Sequence, residues 1–283
     1  MKLVTFDRAG RSSTGAVIGE RLIDLGAAGL PDSMKALIAA WPTMADKVRA
    51  LIAAGKTDLD LKAVHLKAPV PDPQKILAIG LNYADHIEET GRQKPDRQVW
   101  FAKLPNAVNG PFDPIQIPKA SSMIDYEAEL VVVIGKRCRH VSREEAPGAI
   151  FGFTAGNDVS VRDWQNHTPQ WILGKSFDSH APSGPWIVTA DEIGDPQTLA
   201  ISCRVNGEVR QNSNTKHLIF SVADQIAHLS QAMTLLPGDM IYTGTPGGVG
   251  MAMKPPSFLK AGDVVRVEIE KIGALEATMA PEE

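Results

Sequence analysis

The chain has 283 residues, 43% of them apolar and 22% charged, with 29 Lys and Arg against 33 Asp and Glu and a formal charge of −4. That length buries a substantial core, and the absence of any polybasic run argues against nucleic acid or an anionic membrane as a partner. The opening MKLVTFDRAG has no apolar segment of signal-peptide length and no stretch approaches the roughly 20 apolar residues of a membrane span, so a cytoplasmic protein is expected.

In chain order, residues 3–6, 16–18 and 21–25 read as short strands. From residue 34 to 54, Leu37, Ile38, Trp41, Met44, Val48, Leu51 and Ile52 recur at helical spacing, and Pro42 marks a break between two helices. These elements define a small α/β domain over residues 1–68, closed by the proline-dense APVPDPQK at 68–75. Residues 69–283 form the second, larger domain. Strands are expected there at 76–79, 130–134, 186–188, 199–205, 240–242 and 264–269, and one clear helix from about 221 to 233, with Ser221 as N-cap, Asp224 in the first turn and Pro237-Gly238 beyond its end. The fold class is α+β and β-rich.

Cys138 and Cys203 stand far apart with no CxxC or Cys/His cluster, so any metal should have oxygen ligands. Glu127 and Glu129, in DYEAELVVVI, are two apart at the head of an apolar strand and share a face with Val131 and Val133. Burying two carboxylates on an apolar face is costly without a cation; an ExE pair also arises at a solvated strand end. A third carboxylate, Asp158, follows a Gly-rich strand or turn in GFTAGNDVSVRDWQ, and three oxygen anions suit magnesium or manganese better than zinc. Asp158 alone also fits a turn or an N-cap, and Asp163 competes for its role.

Upstream, IGLNYADHIEETG carries His86 and Glu89 at i, i+3, a spacing that lets a carboxylate polarise an imidazole on a helix; a polar surface turn fits the same pattern. Gly91 and the run RQKPDRQ after it suit a flap that closes on ligand. Lys175, in the Gly-flanked WILGKSFDSHAPSGPW, is either a snorkelling surface residue or a cation aimed at an anionic substrate. YTGTPGGVG offers Thr245 and glycine N–H groups able to cradle a carboxylate, but lacks the GK[ST] ending of a P-loop.

Taken together, NYADHIEETG, DYEAELVVVIGK, GNDVSVRDWQ, GKSFDSHAPSGPW and TGTPGGVG resemble, in order, the motifs of the fumarylacetoacetate hydrolase family over about residues 70–280. The resemblance implies a mixed β-roll catalytic domain, paired into a homodimer, in the acylpyruvate hydrolase and hydroxyheptadienedioate isomerase branch. It implies Mg2+, with Mn2+ as an alternative, on Glu127, Glu129 and Asp158; a water-activating dyad of His86 and Glu89; substrate contacts from Lys175 and Gln165; and a carboxylate contact from Thr245. Leu81 stands where many relatives have arginine. The activity implied is cleavage of a C–C bond in an acylpyruvate or 2,4-dioxo acid, including diketo-deoxy sugar acids, to give pyruvate and a carboxylic acid. A lyase or isomerase on the same metal-enolate platform, such as an oxaloacetate decarboxylase or a hydroxymuconate-type isomerase, is the alternative.

Overall fold

A computed structural model of the protein describes residues 1–57, 59–91 and 93–282. Arg92, the first residue of the charged run after the His86 motif, lies outside the described residues, as do Asp58 and Glu283. The architecture is α+β and β-rich.

Its centre is the strand Ala128–Ile134, whose residues are buried on both faces. Val, Ile and Leu fill a pleated surface well, and a run of them suits a strand covered on both sides. Leu130, Val132 and Ile134 enter one apolar cluster with Phe153, Ile201, Val267 and Leu275. Val131 and Val133 enter a second, with Leu3, Leu37, Ile38, Val48 and Tyr242. The alternation read from the sequence therefore separates two cores.

Ala128–Ile134 is flanked by Ile150–Asn157, antiparallel, and by Met240–Tyr242, also antiparallel. Met240–Tyr242 in turn pairs in parallel with Ile76–Gly80, and Val99–Lys103 closes that side. On the other side Ile150–Asn157 pairs with Ala181–Thr189, which pairs with Lys2–Arg8 through Lys2 and Val188. Strands Arg11–Ile18, Arg21–Asp24 and Leu59–Asp60 continue outward, so the N-terminal strands extend the same sheet. A five-stranded sheet, with Ala200–Val205, Val264–Ile269 and Gly273–Pro281 in its middle, contributes the rest of the first core.

The two helices about Pro42 are Met34–Ala39 and Trp41–Ala54. Pro42 lies in the first turn of the second helix, where its missing N–H leaves no hydrogen bond unmade. The helix expected near 221–233 is Val222–Ala232, with a reciprocal capping box between Ser221 and Asp224. Among the strands that the apolar pattern did not mark are Val99–Lys103, Glu208–Asn214 and Gly273–Pro281. Val99–Lys103 and Glu208–Asn214 end their sheets, and EVRQNSN is polar because one side of such a strand faces water. The strand expected at 186–188 runs from Ala181 to Thr189 and contains two prolines, which hid its length.

Removing the cap by Ser221→Ala should lower unfolding free energy by about 1 kcal/mol. Leu130→Ala, which empties part of the central core, should cost about 2–5 kcal/mol. Denaturant titrations of the two variants check the ranking, and a Ser221→Ala loss as large as that of Leu130→Ala would show that the central strand is not the keystone of the core.

Candidate active site and metal centre

The acidic residues come from neighbouring strand ends. Glu127 immediately precedes Ala128–Ile134, and Asp158 immediately follows Ile150–Asn157, its antiparallel partner. The crossing is fixed by the Asp158 N–H donating to the Glu127 carbonyl (2.9 Å) and the Glu127 N–H donating to the Asn157 side chain (2.9 Å). Glu129 lies one pleat further in, on the same face as Glu127, and accepts a hydrogen bond from the Gly244 N–H (2.7 Å) at the start of the glycine-rich loop. One oxygen from each of Glu127, Glu129 and Asp158 lies within 4.8 Å of the others, and all three residues are buried.

Three cations surround them. Lys175 Nζ donates to Glu127 Oε2 and to Asp158 Oδ2, both at 2.7 Å. Lys103 Nζ, at the end of Val99–Lys103, donates to Asp158 Oδ1 (2.6 Å) and to the Val159 carbonyl (3.1 Å). Arg162 reaches Asp125 through Nε (2.8 Å), and Glu127 (2.7 Å) and Gln165 (2.9 Å) through Nη1. Asp125 also accepts the N–H groups of Gly250 and Met251, which ties the glycine-rich loop to the same network.

Four carboxylates, those of Asp125, Glu127, Glu129 and Asp158, thus face three cations, Lys103, Lys175 and Arg162. Four minus three leaves one negative charge in excess, and among the described residues Glu129 forms no ion pair. Burial, together with Asp158 and Glu127 beside it, holds the Glu129 carboxyl well above the usual carboxylate range. Burial alone would also raise Glu127, but Lys175 and Arg162 outweigh it and bring that carboxyl down to about 2. Burial pulls Lys103 below the ordinary lysine value, only partly offset by Asp158, whereas for Lys175 the pull of burial is exceeded by Asp158 and Glu127, and its ammonium is raised. A cluster of oxygen donors with a surplus negative charge fits a hard divalent cation.

His86 and Glu89 lie on the helix Ala84–Thr90 with His86 Nδ1 3.6 Å from the Glu89 carboxylate. The helix is docked on the glycine-rich loop: Gly248 N–H donates to Glu89 (2.9 Å), and Asp85 accepts from Ser213 Oγ (2.6 Å). Thr245 Oγ1 accepts from Gln211 Nε2 (2.8 Å). A cavity of about 320 Å³ is lined by His86, Glu89, Glu127, Glu129, Gln165, Lys175 and Thr245, among others. Of the residues to which the resemblance assigned a metal, catalytic or substrate role, Asp158 is the one not on its wall; it lies beneath, wholly buried and gripped by the two lysines. Lys175 is buried and not a surface lysine. Asp163 accepts from Ser121 Oγ and the Trp164 N–H and takes no part in the acidic cluster.

Sequence reading passed over Lys103, Arg162 and Asp125. Asp125 and Arg162 stood inside quoted motifs but carried no spacing signal of their own, and Lys103 is separated from Asp158 by 55 positions. Its one trace was a lysine ending the apolar VWFAK.

Residues 75–280 match the family model "Fumarylacetoacetate (FAA) hydrolase C-terminal". A mitochondrial oxaloacetate tautomerase, Fahd2a of Rattus norvegicus, is 44% identical over 261 residues, covering 91% of this chain and 83% of that protein. The crystal structure of maleylpyruvate hydrolase from Sphingobium sp. SYK-6, in complex with manganese(II) ion and pyruvate, is 33% identical with a TM-score of 0.84 over 100% of both chains. A fumarylacetoacetate hydrolase from Exiguobacterium antarcticum is 37% identical with a TM-score of 0.85, again over 100% of both. The fold is the β-rich fold of these enzymes, and the buried carboxylates of this chain could hold a metal ion. The chain belongs to the fumarylacetoacetate hydrolase family. Among its described residues no helix is long and apolar enough to cross a membrane, and the rat relative is mitochondrial by name, which gives no support to the cytoplasmic expectation.

Because the Glu129 carboxyl is raised above the usual carboxylate range, a proton competes with a metal ion for it, and the competition grows as pH falls. A carboxyl raised on folding adds stability at low pH that is lost as pH rises through its folded value, and bound metal replaces that loss. The increase in melting temperature on adding Mn2+ should therefore be larger at pH 8 than at pH 5. Thermal scans at the two pH values check it, and the opposite order would remove Glu129 from the metal set.

Proposed function

We propose that this chain is a metal-dependent enzyme that moves a proton at C3 of a small 2-oxo acid, interconverting its keto and enol forms. The observation that supports it is the meeting, in one cavity, of the acidic cluster with Lys175 and with the His86–Glu89 pair. The name of the rat relative, an oxaloacetate tautomerase, points to oxaloacetate as the simplest substrate to try.

Glu127, Glu129 and Asp158 would hold Mg2+ or Mn2+, whose Lewis acidity polarises the 2-oxo group and lowers the acidity barrier at C3. His86 takes the C3 proton, with Glu89 beside it stabilising the imidazolium that results. The electron pair left by the C3–H bond moves to the 2-oxo oxygen, where the Lys175 ammonium balances the new negative charge. The proton then returns from His86 to that oxygen or, in reverse, to C3. Gln165, held by Arg162, and Thr245, held by Gln211, position the substrate carboxylate.

Hydrolysis of an acylpyruvate, the reaction favoured by the motif pattern, is the second reading. The name of the Sphingobium relative, maleylpyruvate hydrolase, favours it. In that case His86 takes a proton from water, the oxygen attacks the C4 carbonyl, and the C3–C4 bond breaks to give a carboxylic acid and the enol of pyruvate. The chemistry belongs to the domain proposed over residues 69–283, and the proposed assembly is a homodimer, a role for which exposed Phe112, Leu173 and Val209 are available.

His86→Ala should slow the exchange of the oxaloacetate C3 protons with deuterated solvent by about 100-fold, the scale of a lost general base, while leaving Mn2+ binding intact. Proton NMR measures the exchange. Pyruvate release from acetylpyruvate by the same preparation separates the readings: release faster than C3 exchange puts hydrolysis first, and neither activity in metal-loaded protein removes both.

A further inference from the structure

The cavity combines a linked set of polar groups with a patch of apolar side chains. Glu127, Glu129, Arg162, Gln165 and Lys175 are linked by the hydrogen bonds and ion pairs already described. His86, Glu89, Asn166 and Thr245 add further polar groups to the wall, and Leu81, Phe101, Trp171, Val249 and Met251 form its apolar part. Phe101 and Trp171 meet with their rings tilted, 5.5 Å between centroids, and Trp171 lies so close over Gly80 that a Cβ there would meet its ring at 2.4 Å. Leu81 follows with φ at 58°, which turns the chain sharply beside that aromatic pair.

Charge reinforces the division. Arg162 and Lys175 are the lysine and arginine on the cavity wall among the described residues, and both already serve the buried carboxylates. His86 is paired with Glu89. Asn166 spends its side-chain amide on the Arg162 carbonyl. Leu81 and Trp171 are half-buried, so a carboxylate placed against them would exchange part of its water for apolar contacts and gain no counter-ion from them, whereas a hydrocarbon there is favoured.

We infer that this apolar wall is a tail site, and that the enzyme accepts 2-oxo acids longer than oxaloacetate whose far end is an uncharged alkyl or aryl group. The inference rests on the 2-oxo acid reading given above. Oxaloacetate itself is compatible, because its second carboxylate is on the reacting carbon and stays among the polar groups. Leu81, Trp171 and Met251 are the residues that set the preference.

Calorimetric titration of the Mn2+-loaded protein with pyruvate, 2-oxohexanoate and 2-oxoadipate tests it, since the last two share a head group and differ by a terminal carboxylate. The expected result is 2-oxohexanoate bound at least about tenfold more tightly than 2-oxoadipate. In Leu81→Arg, which puts a cation on the wall, that ratio should collapse or invert. Equal or tighter binding of 2-oxoadipate by the unaltered protein would overturn the tail site, as would binding of pyruvate alone. If none of the three acids binds, the 2-oxo acid reading itself fails and takes the tail site with it.

Discussion

The structure turns on how four carboxylates are kept side by side out of water. Each would be expelled from an apolar interior or protonated if left alone. Lys103, Lys175 and Arg162 hold three of them as anions, and each cation arrives from a different part of the chain: a sheet-edge strand, a turn and the first residue of a short helix. Such a network rewards completeness. Removing one partner leaves a buried charge without compensation, which costs far more than a surface ion pair would.

The strand ends determine where this charge sits. Ala128–Ile134 and Ile150–Asn157 supply a rigid, fully buried pair, and their termini project Glu127 and Asp158 into the space that the glycine-rich loop and the His86 helix cover. Groups placed on strands and braced by hydrogen bonds are held closely enough for chemistry that fails with a shift of an ångström. The covering parts are attached differently. The Ala84–Thr90 helix is only seven residues long and is fastened through Glu89 to the glycine-rich loop, through Asp85 to Ser213, and by the buried Ile87 side chain.

Much of this was legible in the residues. The period-two alternation at 127–133 put both glutamates on one face, and the structure shows that face continuing into a core. The Ser221 cap and the Pro42 break were local signals, and local signals survive folding. Lys175 was ambiguous because a lysine in an apolar segment reads alike whether its ammonium reaches solvent or a buried acid. Lys103 and Asp125 were illegible for a related reason. Their meaning lies in partners 55 and 37 positions away, and no periodicity connects residues brought together only by sheet order. The polar strand Glu208–Asn214 was hidden because a sheet edge need not be apolar to pair.

The sheet order also has a kinetic consequence. Its neighbours are distant in sequence: Lys2 lies beside Val188, Val131 beside Tyr242, and Ile76 beside Met240. Contact order is therefore high: the central strand Ala128–Ile134 reaches Ile150–Asn157 through a short connection, but a loop of more than a hundred residues must close before it gains Met240–Tyr242. Glu127 and Asp158 stand at the ends of strands joined by a short connection, but Glu129 takes its hydrogen bond from Gly244, 115 positions away, so the cover of the acidic cluster arrives only with the late strands. The long closure that completes the core is therefore also the one that shuts the acidic cluster away from water.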